Sequence, residues 1–288
     1  MIGGLVTLLA AYVLSQFYRA FLAVLAPALK ADLGATVTDL AAASGLYFLT
    51  FALMQIPVGW ALDRIGPRRT AAVIFAVGGA GGALLLSLAG SPLALKASVA
   101  LIGIGCSPVL MASFYVFARV YPAALFGTLA ASTIGVGSLG NIAASLPLAM
   151  LAEGLGWRGA MLAMAGATLA VAGGIALMLR DPVRADGAAE GSLLDLLRMP
   201  ALWLILPVMA VNYAPAAGLR GLWIGPYASD VFGADAAGIG RMALVMGLAM
   251  VVGNFAYGPA ERLAGSRKVV IFWGNAAMAA CLYALWAL

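Results

Sequence analysis

The chain contains no histidine at all, and only 9% of its 288 residues are charged. An ordinary soluble domain carries about 25%. The missing histidines exclude imidazole acid–base catalysis and imidazole metal sites. The two cysteines, Cys106 and Cys281, stand 175 positions apart in long apolar runs, which gives neither a disulfide framework nor metal-ligand spacing. None of the eleven acidic residues falls inside a long apolar run; all lie in connections or at run ends. There is no nucleotide-binding loop either, since the glycines Gly78, Gly79, Gly81 and Gly82 sit within an apolar run. What remains is apolar: 64% of residues are hydrophobic. A soluble globular protein, a disordered chain and a small secreted scaffold are all excluded. The net charge of +5 forms no basic stripe that would suit nucleic acid.

A membrane-spanning helix needs about 20 mostly apolar residues. Nine such runs are present, near 5–28, 40–62, 71–90, 97–118, 128–152, 159–179, 202–224, 238–257 and 269–287. The first run lacks a basic leader and is interrupted by Arg19, so it reads as a retained span and not as a signal peptide. A polar stretch, 181–200, divides the chain into a six-helix part (1–180) and a three-helix part (201–288). Within it, Ser192–Met199 has the pattern of a short interfacial helix with Ser192 as its cap. With the N-terminus in the cytoplasm, ten Lys and Arg fall in inside connections and four in outside ones, and Arg19 and Arg220 fall within spans. That bias predicts a cytoplasmic N-terminus in the inner (plasma) membrane, and nine spans then place the C-terminus outside.

Two connections repeat. Gly59-Trp60-Ala61-Leu62-Asp63-Arg64-Ile65-Gly66-Pro67-Arg68-Arg69 and Gly258-Pro259-Ala260-Glu261-Arg262-Leu263-Ala264-Gly265-Ser266-Arg267-Lys268 have glycines at the same spacing followed by a basic pair, offset by 199 residues. Arg19 and Arg220 are 201 apart, each followed by a proline, Pro27 and Pro226. Six crossings separate the matched pieces, so the repeat is parallel, as in some secondary transporters.

The segment from Gly59 to Arg69 resembles the signature loop between helices 2 and 3 of the major facilitator superfamily, G-x-x-x-D-R-x-G-R-[RK]-[RK]. Gly59, Asp63, Arg64, Gly66, Arg68 and Arg69 match, and Pro67 departs. The resemblance implies an all-α membrane bundle of that type, with six helices of the N-terminal half and three of the C-terminal half. Such proteins usually have twelve spans, so it also implies a shortened chain. It implies that the loop acts as a gating latch, with Asp63 among arginines contacting the other half. In the fourth span Val99 stands where the family carries an Arg before Gly103-Ile104-Gly105. The fifth span has Gly135, Gly137 and Gly140 but its Pro147 comes late, which disfavours a proton-driven drug exporter.

A charge at mid-bilayer costs about 2.5–3.5 kcal/mol on insertion scales, so an intramembrane arginine faces water, a partner or the interface. On a helical projection Tyr12, Gln16 and Arg19 share one stripe with Ser15 beside it, and Tyr213 and Trp223 share a face with Arg220. Two guanidinium groups with no acid inside any span are expected to meet an anionic substrate, which also resembles anion-handling members of the superfamily with arginines in helices 1 and 7. Tyr47, Gln55, Tyr115, Asn141, Asn212 and Asn254 are further polar positions in spans, each either ligand contact or helix–helix glue. Candidate substrate contacts are therefore Tyr12, Gln16, Arg19, Tyr47, Asn141, Tyr213 and Arg220. The expected function is non-enzymatic: anion transport by alternating access, with a ligand-binding membrane sensor or a drug exporter as alternatives. No cofactor is expected. The expected partners are a small anionic solute and the bilayer, with the chain acting as a monomer and no nucleic acid involved.

Overall fold

The computed structural model describes residues 2–182 and 198–287; the side chains of 2, 124, 201, 204–205, 208–213, 254–255, 257–259, 261–262, 267 and 286–287 lie outside the described ones. The expected interfacial helix at Ser192–Met199 falls almost entirely outside the described residues. Among the described residues every regular element is a helix. Seven helical stretches are long and apolar enough to cross a membrane, and a bent pair makes an eighth.

The first span is that bent pair. Helix α1 (Ile2–Phe17) and α2 (Phe21–Leu33) meet at 48°. The second span is α3 (Val37–Leu53) followed by α4 (Gln55–Arg64). The third runs from α5 (Pro67–Ile74) through a π-helical turn, Phe75–Ala80, into α6 (Gly81–Ser87). The fourth is α7 (Pro92–Val120). The fifth combines α8 (Ala123–Ala143) with the start of α9 (Leu146–Met178), whose non-helical Gly156 separates it from the sixth. The seventh is α10 (Pro200–Gly218), a π turn at Leu219–Trp223 and α11 (Ile224–Phe232). The last two are α12 (Ala236–Ala264) and α13 (Arg267–Ala287).

The elements group into two compact units, one of residues 1–188 with 218–247 and one of 189–217 with 248–288. In the first unit α7 is the centre, packed by α3, α1, α5 and α6. Lipid tails are as apolar as leucine, so association here depends on close packing and on polar contacts between helices. Both are present. A Cβ at Gly78 or at Gly105 would land on the backbone of the opposing helix, so these glycines set the α7 crossing. The Tyr18 hydroxyl and Thr168 Oγ1 lie 2.8 Å apart between the first and sixth spans. Thr50 donates to the carbonyl of Ala100 at 2.8 Å. Leu88, Leu93, Leu177 and Val77 face outward, as a lipid-contacting surface requires.

At the ends of the helices opposite the motif loop, charged pairs close the unit. Lys96 donates to Asp39 at 2.9 Å. Asp32 accepts from Trp157 Nε1 at 2.9 Å and from Arg158, and Arg158 also donates to the carbonyl of Ala89. Trp157 is only 7% exposed and ties the fifth–sixth connection to the end of α2, whereas Trp60, near the end of the second span, is 60% exposed.

Candidate functional site

Arg19 does not sit inside a continuous helix, as the apolar run suggests, but at the break between α1 and α2. The i→i−4 ladder gives way there to shorter bonds: Arg19 N–H donates to the Gln16 carbonyl at 3.2 Å, and Ala20 N–H to that of Phe17 at 3.0 Å. Discontinuous helices of this kind accompany substrate sites in transporters, because they aim backbone dipoles and side chains into the membrane interior. The half-buried guanidinium lies 4.8 Å from the centre of the Phe51 ring of α3. The Tyr47 hydroxyl and the Cys106 thiol are its polar surroundings, from α3 and α7, and Ser15 of α1 lies beside Cys106. Tyr47 and Ser15 are each at most 2% exposed.

One turn earlier on the same stripe, Gln16 donates to the hydroxyl of Tyr12 at 2.8 Å, and both side chains are buried. This wall is pressed against α8. A Cβ at Gly140 would fall on the Val13 carbonyl, and one at Gly137 on the Tyr12 ring. The next residue, Asn141, is 4% exposed, and its Oδ1, like Gln16 Oε1, accepts no hydrogen bond among the described residues. Two buried acceptors on facing helices are a receptive surface for a solute that donates.

Arg220 occupies the π turn of the seventh span and is 6% exposed. Its segment packs on α2: the Arg19 carbonyl lies 2.8 Å from where a Cβ of Gly221 would stand, and Gly225 abuts the Ala23 carbonyl. The structure thus brings Tyr12, Gln16, Arg19, Tyr47, Asn141 and Arg220 into one compact unit, with the two arginine-bearing segments in direct contact. Tyr213, Asn212 and Asn254 have side chains outside the described residues. Gln55 donates to the Phe51 carbonyl one turn before it, and the Arg119 guanidinium lies 3.5 Å from the ring centre of Tyr115 on the same helix.

The motif loop has a second geometry. Asp63 is 67% exposed on its side chain and meets Arg119 only at 3.5 Å. Arg64 and Arg69 are exposed, and Gly59 approaches Met111 of α7. Gly66 has φ 101° and ψ 157°, a conformation open in practice only to glycine. Where its Cβ would be stands the carboxylate of Asp181, which accepts from Arg68 N–H at 2.8 Å at the N-terminus of α5. Arg68 Nε donates to the carbonyl of Ala176 at 2.7 Å. The loop is therefore fastened to the end of the sixth span by Asp181, a residue the sequence reading assigned to the polar linker.

The Major Facilitator Superfamily model matches residues 8–288. The chain belongs to the major facilitator superfamily. The family and its structural neighbours are transporters, not enzymes. A curated relative, the probable sulfoacetate transporter SauU of Cupriavidus necator, is 26% identical over 169 residues, covering 59% of this chain and 39% of the relative. Among solved structures, a bacterial homologue of the human lysosomal transporter Spinster, inward-facing and occupied, matches with a TM-score of 0.69 and 18% identity, over 90% of this chain and 60% of its own. A D-xylose–proton symporter matches with a TM-score of 0.64 and 15% identity, over 87% of this chain and 66% of its own. The chain thus spans less than two thirds of the length of these relatives, and the structural matches speak to fold alone.

Proposed function

We propose that this superfamily member is a secondary active transporter of a small organic or inorganic anion, working by alternating access. Arg19 and Arg220 hold the anion, and Tyr12, Gln16, Tyr47 and Asn141 are the flanking contacts. The observation that carries the reading is the meeting of two arginine-bearing helix irregularities, the α1–α2 break and the Leu219–Trp223 turn, at Gly221. Guanidinium stays charged at every physiological pH and matches a carboxylate, sulfonate or phosphate in shape as well as sign. The likeness to a sulfoacetate transporter supports the same solute class. The Gly59–Arg69 loop is the gating element of the cycle, with Asp63, Arg64 and Arg69 exposed and Gly66 and Arg68 held to the sixth span. The membrane is the cytoplasmic (inner) membrane, the N-terminus lies inside, and the chain works as a monomer.

The test is counterflow of a labelled small anion, such as sulfoacetate, in proteoliposomes. Arg19→Gln and Arg220→Gln should each abolish exchange while leaving the protein folded in the membrane. Unchanged exchange in both variants overturns the anion site. Saturable binding without any flux would make the chain a ligand sensor instead.

A further inference from the structure

A cavity of about 350 Å³ lies at the ends of the first, fourth and sixth spans on the side of the motif loop. Arg119 and Arg180 supply its charge, and Leu5, Val116, Val120 and Leu179 supply apolar wall. It is separate from the candidate anion site: Leu5 and Arg19 are fourteen residues apart, about 21 Å of helix. We propose that this cavity binds the headgroup and upper acyl region of an anionic phospholipid.

Three observations point that way. The charge of the cavity is cationic on balance. Asp181 also lines it, but its carboxylate is turned to the start of α5, where Arg68 N–H holds it. Arg119 is stacked on Tyr115 and reaches the exposed Asp63 only at 3.5 Å. Arg180 forms no hydrogen bond or ion pair among the described residues. Next, the position is interfacial: Leu5 opens the first apolar run, and Val120 and Leu179 close the fourth and sixth. Basic pockets between spans at that depth suit phosphodiester headgroups. Last, the four aliphatic side chains form walls that a free phosphate would leave uncovered and that an acyl chain covers.

The full chain, purified in detergent, is titrated with phosphatidylglycerol or with chain-matched phosphatidylcholine, and retained lipid is read by native mass spectrometry. Two arginines near a headgroup should give phosphatidylglycerol an advantage of roughly tenfold or more. Arg180→Gln should cut that advantage roughly fivefold. Val120→Trp, which fills the cavity and keeps both charges, should abolish it. Neither substitution should shift the thermal midpoint of lipid-free protein by more than a degree or so, roughly, as Arg180 is exposed and Val120 stands at a helix end. Arg241→Gln, an exposed charge near the start of α12 and outside the lining of this cavity, should leave the advantage intact. Equal retention of both lipids, an advantage that survives Val120→Trp, or an equal loss in Arg241→Gln overturns the proposal. Competition by glycerol phosphate as strong as by the lipid overturns the lipid and assigns the cavity to a soluble organophosphate.

Discussion

The Asp181 fastening can be tested as a thermodynamic pair. Asp181→Ala removes an acceptor from Arg68 N–H and a negative charge from the start of α5. Losing a helix-terminal acceptor costs about 1 kcal/mol, and the charge at an exposed terminus adds a few tenths. Asp181→Asn keeps an acceptor and should cost only the few tenths that come from the charge. Gly66→Ala does two things. It forces alanine into a region that costs about 1–3 kcal/mol for a non-glycine residue. It also puts a methyl group 2.8 Å from Asp181 Oδ1, which drives the carboxylate off Arg68. The single variant therefore takes on backbone strain and loses the fastening, about 2–4 kcal/mol together. In the double variant the fastening is already gone, so Asp181→Ala should cost almost nothing on the Gly66→Ala background. The coupling between the two sites is then about 1 kcal/mol. The assay is thermal unfolding of the four proteins in one detergent, with roughly 2–4 °C expected per kcal/mol. Strict additivity of the two shifts would refute the contact, and a neutral Asp181→Ala would refute the fastening itself.

Three further outcomes follow from the same contacts. Arg19→Lys keeps the charge but loses the planar fork, so anion binding should weaken roughly ten- to hundredfold while Arg19→Gln loses it altogether; equilibrium binding of labelled anion separates the two, and equal affinities in Lys and Gln would contradict a bidentate role. Gly140→Ala sets a methyl group on the Val13 carbonyl and should destabilise by about 1–3 kcal/mol and weaken anion binding, whereas Gly45→Ala, which meets nothing within 4 Å, should be neutral or stabilising; thermal midpoints that rank the other way contradict the tight α1–α8 crossing. Trp157→Phe removes the indole donor from Asp32 and should lower stability by about 1 kcal/mol, while Trp60→Phe, at an exposed position, should cost little; equal effects would contradict a stabilising Trp157–Asp32 bond.

The helices were legible because apolar length is a property of the chain read one residue at a time. Each of the nine runs is largely helical among the described residues, although seven stretches and one bent pair are long and apolar enough to cross a membrane. The i, i+4 stripe also survives in three dimensions as the Gln16–Tyr12 bond. The break at Tyr18–Ala20 was not legible, since no glycine or proline stands there and Pro27 lies within α2. Its setting is tertiary: Tyr18 reaches Thr168, 150 residues away. Asp181 was hidden for a related reason. Its neighbours in sequence are polar and its partner is a backbone N–H, so no pattern of side chains announces the contact. Trp157 stands at a span end like Trp60, and only Asp32 distinguishes them.

The repeat that spacing suggests is also written in the backbone. Gly34 ends α2 with φ 64° and ψ 22°, and Gly233 ends α11 with φ 61° and ψ 26°. Gly66 and Gly265, in the two matched loops, both have positive φ, at 101° and 61°. Both pairs are 199 residues apart, as are Pro27 and Pro226. Left-handed glycines end helices where a side chain would be strained, so their recurrence at one offset marks equivalent helix ends and not equivalent surfaces. In that frame each arginine precedes the short helix that its own left-handed glycine closes, Arg19 before α2 and Arg220 before α11. The two irregularities differ in kind, a break with i→i−3 bonds at Arg19 and a π turn at Arg220, yet both interrupt the regular ladder beside a guanidinium. A regular helix satisfies its backbone internally and needs no other polar partner in lipid. Interruptions within a few residues of the equivalent place in both repeats, with a permanent cation beside each, are the arrangement expected where backbone and side chains jointly address a charged solute.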